Sequence, residues 1–221
     1  MGCDIHLYVE KFDGKKWVHI QEDVMEDGDV PMELSFFDTR SYSLFAILAN
    51  VRNSGNFNPI SEPKGLPEDC SDSIKSVQDW CDGHSHSWLT LKEIFEFDWT
   101  QSAKREGWMK ALDYYSWSER CWRKEGGENP QQWCGGVGGG GVVHVSEDEM
   151  KKLVKNPNPT TTNWWLENRK RIEETYPYHY CLVEWEVPYF RCEGGFWSEC
   201  IPRLLRLGTP ENVRIVFWFD S

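Results

Sequence analysis

The sequence predicts an α+β fold: one domain, 1–221, whose mainly antiparallel sheet holds both the N-terminal and the C-terminal strand, with helices and long loops inserted between them. Three observations carry this. The chain opens "MGCDIHLYVE", where Cys3, Ile5, Leu7 and Val9 alternate with Asp4, His6, Tyr8 and Glu10. It closes on "VRIVFWFD", where Val213, Ile215, Phe217 and Phe219 alternate with Arg214, Val216, Trp218 and Asp220. A period of two is what a strand with two distinct faces requires. Between these ends, Ser/Thr-x-x-Glu capping signatures at Thr90/Glu93 and Ser146/Glu149 mark helix starts.

The elements follow in order. Asp13-Gly14 is a hairpin turn signal, and Trp17, Val18 and Ile20 supply an antiparallel second strand. "QEDVMEDGDVPMELSFFD" is acidic and irregular, a surface excursion. "TRSYSLFAILANVRN" predicts a helix with Leu44, Phe45, Leu48 and Val51 on one stripe, ended by Asn53-Ser54-Gly55. A proline-rich loop and a short helix in "SDSIKSVQDW" lead to "CDGHSHSW" and the helix capped by Thr90. "GWMKALDYYSWSERCWRK" predicts a further helix, as do "SEDEMKKLVK" and "NWWLENRKRIEET". "YHYCLVEWEV" is rich in aromatic and β-branched residues, as strands are, and "CIPRLLRL" is a helix ended by Gly208.

Composition limits the function classes. At 221 residues the chain has room for one domain, or one domain with a sizeable insertion. Its 13 Trp, 11 Phe and 8 Tyr place large apolar areas in few side chains, which argues for a packed core. A net charge of −12 disfavours non-specific nucleic acid binding, which rests on cationic contacts to phosphate. No run of about 18 apolar residues predicts a membrane span. The eight cysteines contain no CxxC pair, and no secretion signal opens the chain. They are expected as mostly reduced, buried thiols of a cytoplasmic protein.

The residue types with chemistry in them concentrate in two segments. Asp82, His84 and His86 stand at i, i+2 and i+4, so an extended backbone turns all three to one face. Asp4 and His6 repeat the acid-x-His spacing on the first strand. If "DGHSHSW" folds over that strand face, Asp4, His6, Asp82 and His84 become ligands for a divalent metal, zinc or manganese. His6, His84 and His86 are then candidate catalytic groups of a metal-dependent, phosphoesterase-like hydrolase, with Asp220 closing the pocket. The bland alternative has a solvated histidine turn and the wet face of an antiparallel sheet.

Other motifs carry less. "GGVGGGGVVHV" lacks the Lys-Ser/Thr of a P-loop and leads into a strand, so a mobile loop at about 134–141 is expected. Trp133 and His144 flank it as candidate ligand-binding residues. Neighbours on a helix diverge by about 100°. Trp164 and Trp165 therefore cannot both face inward, and Trp164 is a candidate for stacking on a ligand. Glu184 and Glu186 share a strand face, as a carboxylate pair or as two solvated acids.

"MGCDIH", "LFAILANVRN" with "GLPEDCS", "DGHSHSWLTLKE" and "VRIVFWFD" together resemble an uncharacterised family of phage and prophage proteins. The resemblance implies a phage-type accessory protein in the cytoplasm of the infected bacterial host, and brings no reaction or catalytic residue with it. Enzyme and binding protein both stay open. One reading is an anti-defence protein that binds a small anionic or nucleotide-like ligand, such as a host-defence signal, and hydrolyses it if a metal is bound. The other is a non-catalytic acidic inhibitor that covers a basic surface of a host defence protein.

Overall fold

A computed structural model describes residues 2–24, 32–34, 36–78, 83–123, 130–160 and 162–220, with backbone alone at 22–24, 32–34 and 120–123. The backbone groups into two compact units, Met1–Gln101 with Pro188–Ser221, and Ser102–Val187. Among the described residues no helix is long and apolar enough to cross a membrane.

The first unit is built on β1 (Asp4–Phe12), β2 (Trp17–Ile20), β5 (His84–Thr90) and β9 (Val213–Asp220), in the order β2-β1-β9-β5. All three pairings are antiparallel. The terminal strands do share the sheet: Ile5 lies opposite Phe219, Leu7 opposite Phe217 and Val9 opposite Ile215, all buried. Asp13 shapes the β1–β2 turn by accepting the N–H groups of Lys15 and Lys16. The excursion predicted as irregular instead contains β3 (Glu22–Val24) and β4 (Met32–Leu34), paired antiparallel. The short extended pieces lack the apolar alternation that would have marked them.

β9 is buried on both faces from Val213 to Phe219. On one face Phe219 meets Phe45 of α1 (Tyr42–Ala49), ring centroids 5.0 Å apart. This helix buries every residue from Leu44 to Ala49, and Asn50 ends it in the left-handed conformation at φ 56°, earlier than predicted. On the other face Val216 and Trp218 pack with Cys70 and with Ile74 of α2 (Asp72–Gln78). Gly83 abuts the pyrrole edge of Trp218, where any Cβ would collide with the indole. α3 (Leu91–Glu96) has the predicted capping box: Thr90 Oγ1 accepts from Glu93 N–H, and Glu93 accepts from Thr90 N–H.

The same face buries an ion pair. Arg214, 2% exposed, donates from Nε to Oε2 of Glu10, which is fully buried, at 2.7 Å, and its Nη2 lies 2.7 Å from the same oxygen. Its Nη1 reaches Asp69 at 2.8 Å, and Glu10 also accepts from Ser71 N–H at 2.7 Å. Arg214 further lies over the Trp17 ring at 4.1 Å.

The second unit places β8 (His179–Pro188) between β6 (Ser102–Lys110) and β7 (Val143–Val145), with β7 parallel to β8. β8 alternates Cys181, Val183, Trp185 and Val187 inward with Leu182, Glu184 and Glu186 outward, so the two glutamates are exposed. The helix predicted to begin at "GWMK" is corrected: α4 runs Ala111–Arg123, and Gly107–Lys110 belong to β6. Trp108 exchanges both backbone hydrogen bonds with Cys134, at 2.8 and 3.0 Å, which draws that stretch into extended pairing. α4 packs with α5 (Glu147–Val154) and α6 (Trp164–Thr175) through the Tyr114–Glu147 hydrogen bond and the Tyr115–Trp165 stack. After β8 come a 3-10 turn (Tyr189–Arg191), a π-helical turn (Phe196–Cys200) and α7 (Ile201–Leu205). Cys3, Cys70, Cys181 and Cys200 are buried and Cys134 and Cys192 partly exposed, none of these six in a disulfide.

Emptying the Phe217 site should cost about 3–5 kcal/mol for Phe217→Ala, measured by urea unfolding. Glu10→Gln should cost about 3–5 kcal/mol, because it leaves the Arg214 charge inside the core with a weakened partner. Asp69→Asn should cost under about 1 kcal/mol, since the Asp69 side chain is 66% exposed. Equal losses for Glu10→Gln and Asp69→Asn would contradict this account of the ion pair.

Candidate functional site

Register places the acid and histidine of the opening strand. Asp4 lies opposite Asp220 and His6 opposite Trp218, so the four side chains share one sheet face. His6 Nε2 and Asp220 Oδ2 are 3.0 Å apart, and Asp4 N–H donates to Asp220 Oδ1 at 3.2 Å. Both oxygens of Asp4 accept from Arg40, at 2.7 and 2.6 Å. The His6 hydrogen bond holds the Asp220 carboxyl below its ordinary range, and the Arg40 hydrogen bonds do the same for Asp4.

An aromatic row crosses this face. Tyr8 stacks on Trp218 at 4.8 Å, His6 at 6.0 Å, and His86 lies on it at 5.4 Å, while His19 meets the edge of Tyr8 at 5.7 Å. Beside it opens a pocket of about 370 Å³, bounded by Asp4–Val9 of β1, by His19, Ile20 and Gln21, and by Phe36 and Asp38. Among the described residues, the lining includes two carboxylates and two imidazoles and no Lys or Arg.

The histidines of "HSH" part company. β5 slips register between His84, opposite Phe219, and Ser87, opposite Phe217, with Ser85 at φ +53°. This bulge inserts one residue, so the i, i+2 pair falls on opposite faces. His84 lies against Phe219, 6.2 Å between rings, and borders a depression with Ala49–Arg52 and Glu62. It is therefore on the face away from His6, and the expected meeting of these two histidines is corrected. His86 does join the His6 face, with the Trp218 ring in contact with both. Its Nε2 is buried without a hydrogen-bond partner among the described residues, as is Trp218 Nε1. Burial, and then the neighbouring His84, lower the His86 pKa and favour its neutral form.

Asp82 lies outside the described residues. Among the described residues no three His, Cys, Asp or Glu side chains are grouped to hold a metal ion. Of the expected metal ligands, Asp4 already gives both oxygens to Arg40, His6 engages Asp220, and His84 faces away. Trp133, His144 and Trp164 belong to the other unit, each with its own partner. Trp133, 49% exposed, packs edge-on to Trp185 at 5.5 Å. His144 stacks on Trp108 at 4.4 Å, with Nε2 3.1 Å from Val137 O, which ties the end of the glycine-rich run to its start. Trp164 meets Trp165 at 6.1 Å.

Sequence reasoning missed Arg40, Asp38, Tyr8, His19 and Gln21. The period of two already put Tyr8 on the His6 face, and the Asp13-Gly14 turn put His19 opposite Glu10. No local pattern pointed to Arg40 or Asp38. A larger cleft, about 620 Å³ between Trp17 and Trp88, has its indoles covered by the chain's own cations, Arg214 and Lys64. Comparison of the chain with family models, curated proteins and solved structures returns no match.

The His86 pKa gives a pH dependence with a definite sign. Below the ordinary value of about 6.5 the unfolded chain binds a proton at this site that the folded chain resists. Stability should therefore rise with pH between the lowered folded value and 6.5, and fall as pH drops through that window. Urea midpoints from pH 5 to 7.5 should show a shallower slope for His86→Gln than for the parent chain. In NMR titration, the Asp220 carboxyl should move back toward its ordinary value in His6→Ala.

Proposed function

We propose that this chain acts by binding, as an acidic, non-catalytic partner for a basic protein surface. The observation that carries the reading is the pocket along β1, where Asp38 and the Arg40-paired Asp4 line the wall and, among the described residues, no lysine or arginine does. The net charge of −12 works in the same direction over longer range, speeding encounter with a cationic partner. In the phage-type setting that the resemblance implies, a host defence protein is the partner class.

A second reading attaches to the His6–Asp220 dyad. Asp220 orients the imidazole, and the His6 side chain is 34% exposed beside the pocket, as a general base acting on a small nucleotide-like ligand must be. The acidic lining weighs against it, because the phosphate of such a ligand would meet carboxylates and, among the described lining residues, no Lys or Arg.

Calorimetric titration separates the two. Oligolysine should bind, with affinity falling steeply as salt rises. Mononucleotides and cyclic dinucleotides, with and without Mn²⁺ or Zn²⁺, should bind no tighter than about 1 mM. Nucleotide hydrolysis that is lost in His6→Ala would overturn the binding-only reading in favour of the second.

A further inference from the structure

The pocket has a feature that its charge alone does not explain: six consecutive residues of one strand, Asp4 to Val9, border it. A cavity touches both parities of a strand when it runs along the strand's edge. β9 pairs with β1 along its inner edge from Asp4 to Lys11, whereas β2 covers the outer edge only from Val9 to Phe12. Among the described residues, no strand pairs with the outer edge of Asp4–Leu7.

The direction of the backbone groups there follows from hydrogen bonds on either side. Asp4 N–H donates toward β9, to Asp220, and Phe12 N–H donates to Asn212 O, next to β9. Asp13 N–H donates to Lys16 O, on the β2 side. Even-numbered residues of β1 thus address β9 and odd-numbered ones the outer edge, as antiparallel pairing requires. Ile5 and Leu7 turn their N–H and C=O groups outward, into the pocket, while their side chains are only 4% exposed and lie in the core. What these two residues offer a ligand is therefore backbone.

We infer that the outer edge of β1 at Asp4–Leu7 accepts an extended basic peptide segment of a partner protein as an added strand. Backbone pairing to Ile5 and Leu7 supplies the affinity, and the carboxylate of Asp38 in the pocket lining selects Lys or Arg side chains on it. At roughly 3.3 Å per residue, the open stretch pairs with a segment of about three or four residues. A volume of about 370 Å³ is at the small end of ligand sites, as suits so short an insert. The inference rests on the acidic-partner reading and adds where and how the partner binds.

The test uses the full chain, isotopically labelled, and the peptide acetyl-Val-Lys-Val-Lys-Val-amide as probe. The expected result is binding with the largest amide shifts at Ile5 and Leu7. N-methylation of the peptide amides that face β1 should weaken it by about tenfold or more, one lost backbone hydrogen bond or two. Asp38→Asn should weaken it severalfold and reduce its salt dependence, and a Glu-for-Lys peptide should not bind. Binding that ignores N-methylation, or shifts confined to other residues, would overturn strand addition and leave the acidic-partner reading standing. No binding of either this peptide or oligolysine would overturn both.

Discussion

The first unit depends on the antiparallel pairing of β1 with β9, which closes the chain on itself across more than two hundred residues. Such closure carries a conformational entropy cost that local hydrogen bonds do not offset alone. The offset comes from burial: β9 is covered on both faces, by α1 through Phe45 and Phe219 and by the Cys70–Ile74 segment through Val216 and Trp218. Burying Arg214 among these residues is tolerable because Glu10 stands directly opposite it in the same pairing and Asp69 completes its hydrogen bonds. A one-residue slip of β1 would carry Glu10 to the other face and leave Arg214 without it, so the ion pair opposes misregister.

That register also decides the site. With Glu10 opposite Arg214, Asp4 must fall opposite Asp220 and His6 opposite Trp218, which yields the His6–Asp220 hydrogen bond. The shortness of β2 then leaves the outer edge of β1 without a paired strand, among the described residues, where those groups cluster. Edge strands are commonly blunted by charge, and the Asp4–Arg40 pair beside this edge is consistent with protection against indiscriminate pairing. On the proposed reading, an acidic lining beside an open backbone edge selects against anions and acidic strands and in favour of basic ones.

Some features were legible locally. The strict alternation in "CDIHLYV" and "VRIVFWFD" set the two faces of β1 and β9, because side-chain direction in a strand follows from backbone geometry alone. The Asp13-Gly14 turn and the caps at Thr90 and Ser146 were equally readable, since each is satisfied by hydrogen bonds within a few residues. The short β3–β4 pair was not, because it lacks apolar alternation, and neither was the strand at Gly107–Lys110, where Trp108 pairs with Cys134, a partner distant in sequence.

The candidate site divides the same way. Sequence by itself determined that Asp4, His6 and Tyr8 share a face, and that Asp220 and Trp218 share one at the far end of the chain. Tertiary structure alone decided that these are the same face. It also decided that Arg40 engages Asp4 and that a bulge at Ser85 sends His84 away from His6 while His86 stays with Trp218. A spacing of two residues guarantees a common face only while the strand keeps its register. Register is a property of pairing with another strand, and it is therefore invisible to any pattern within one segment.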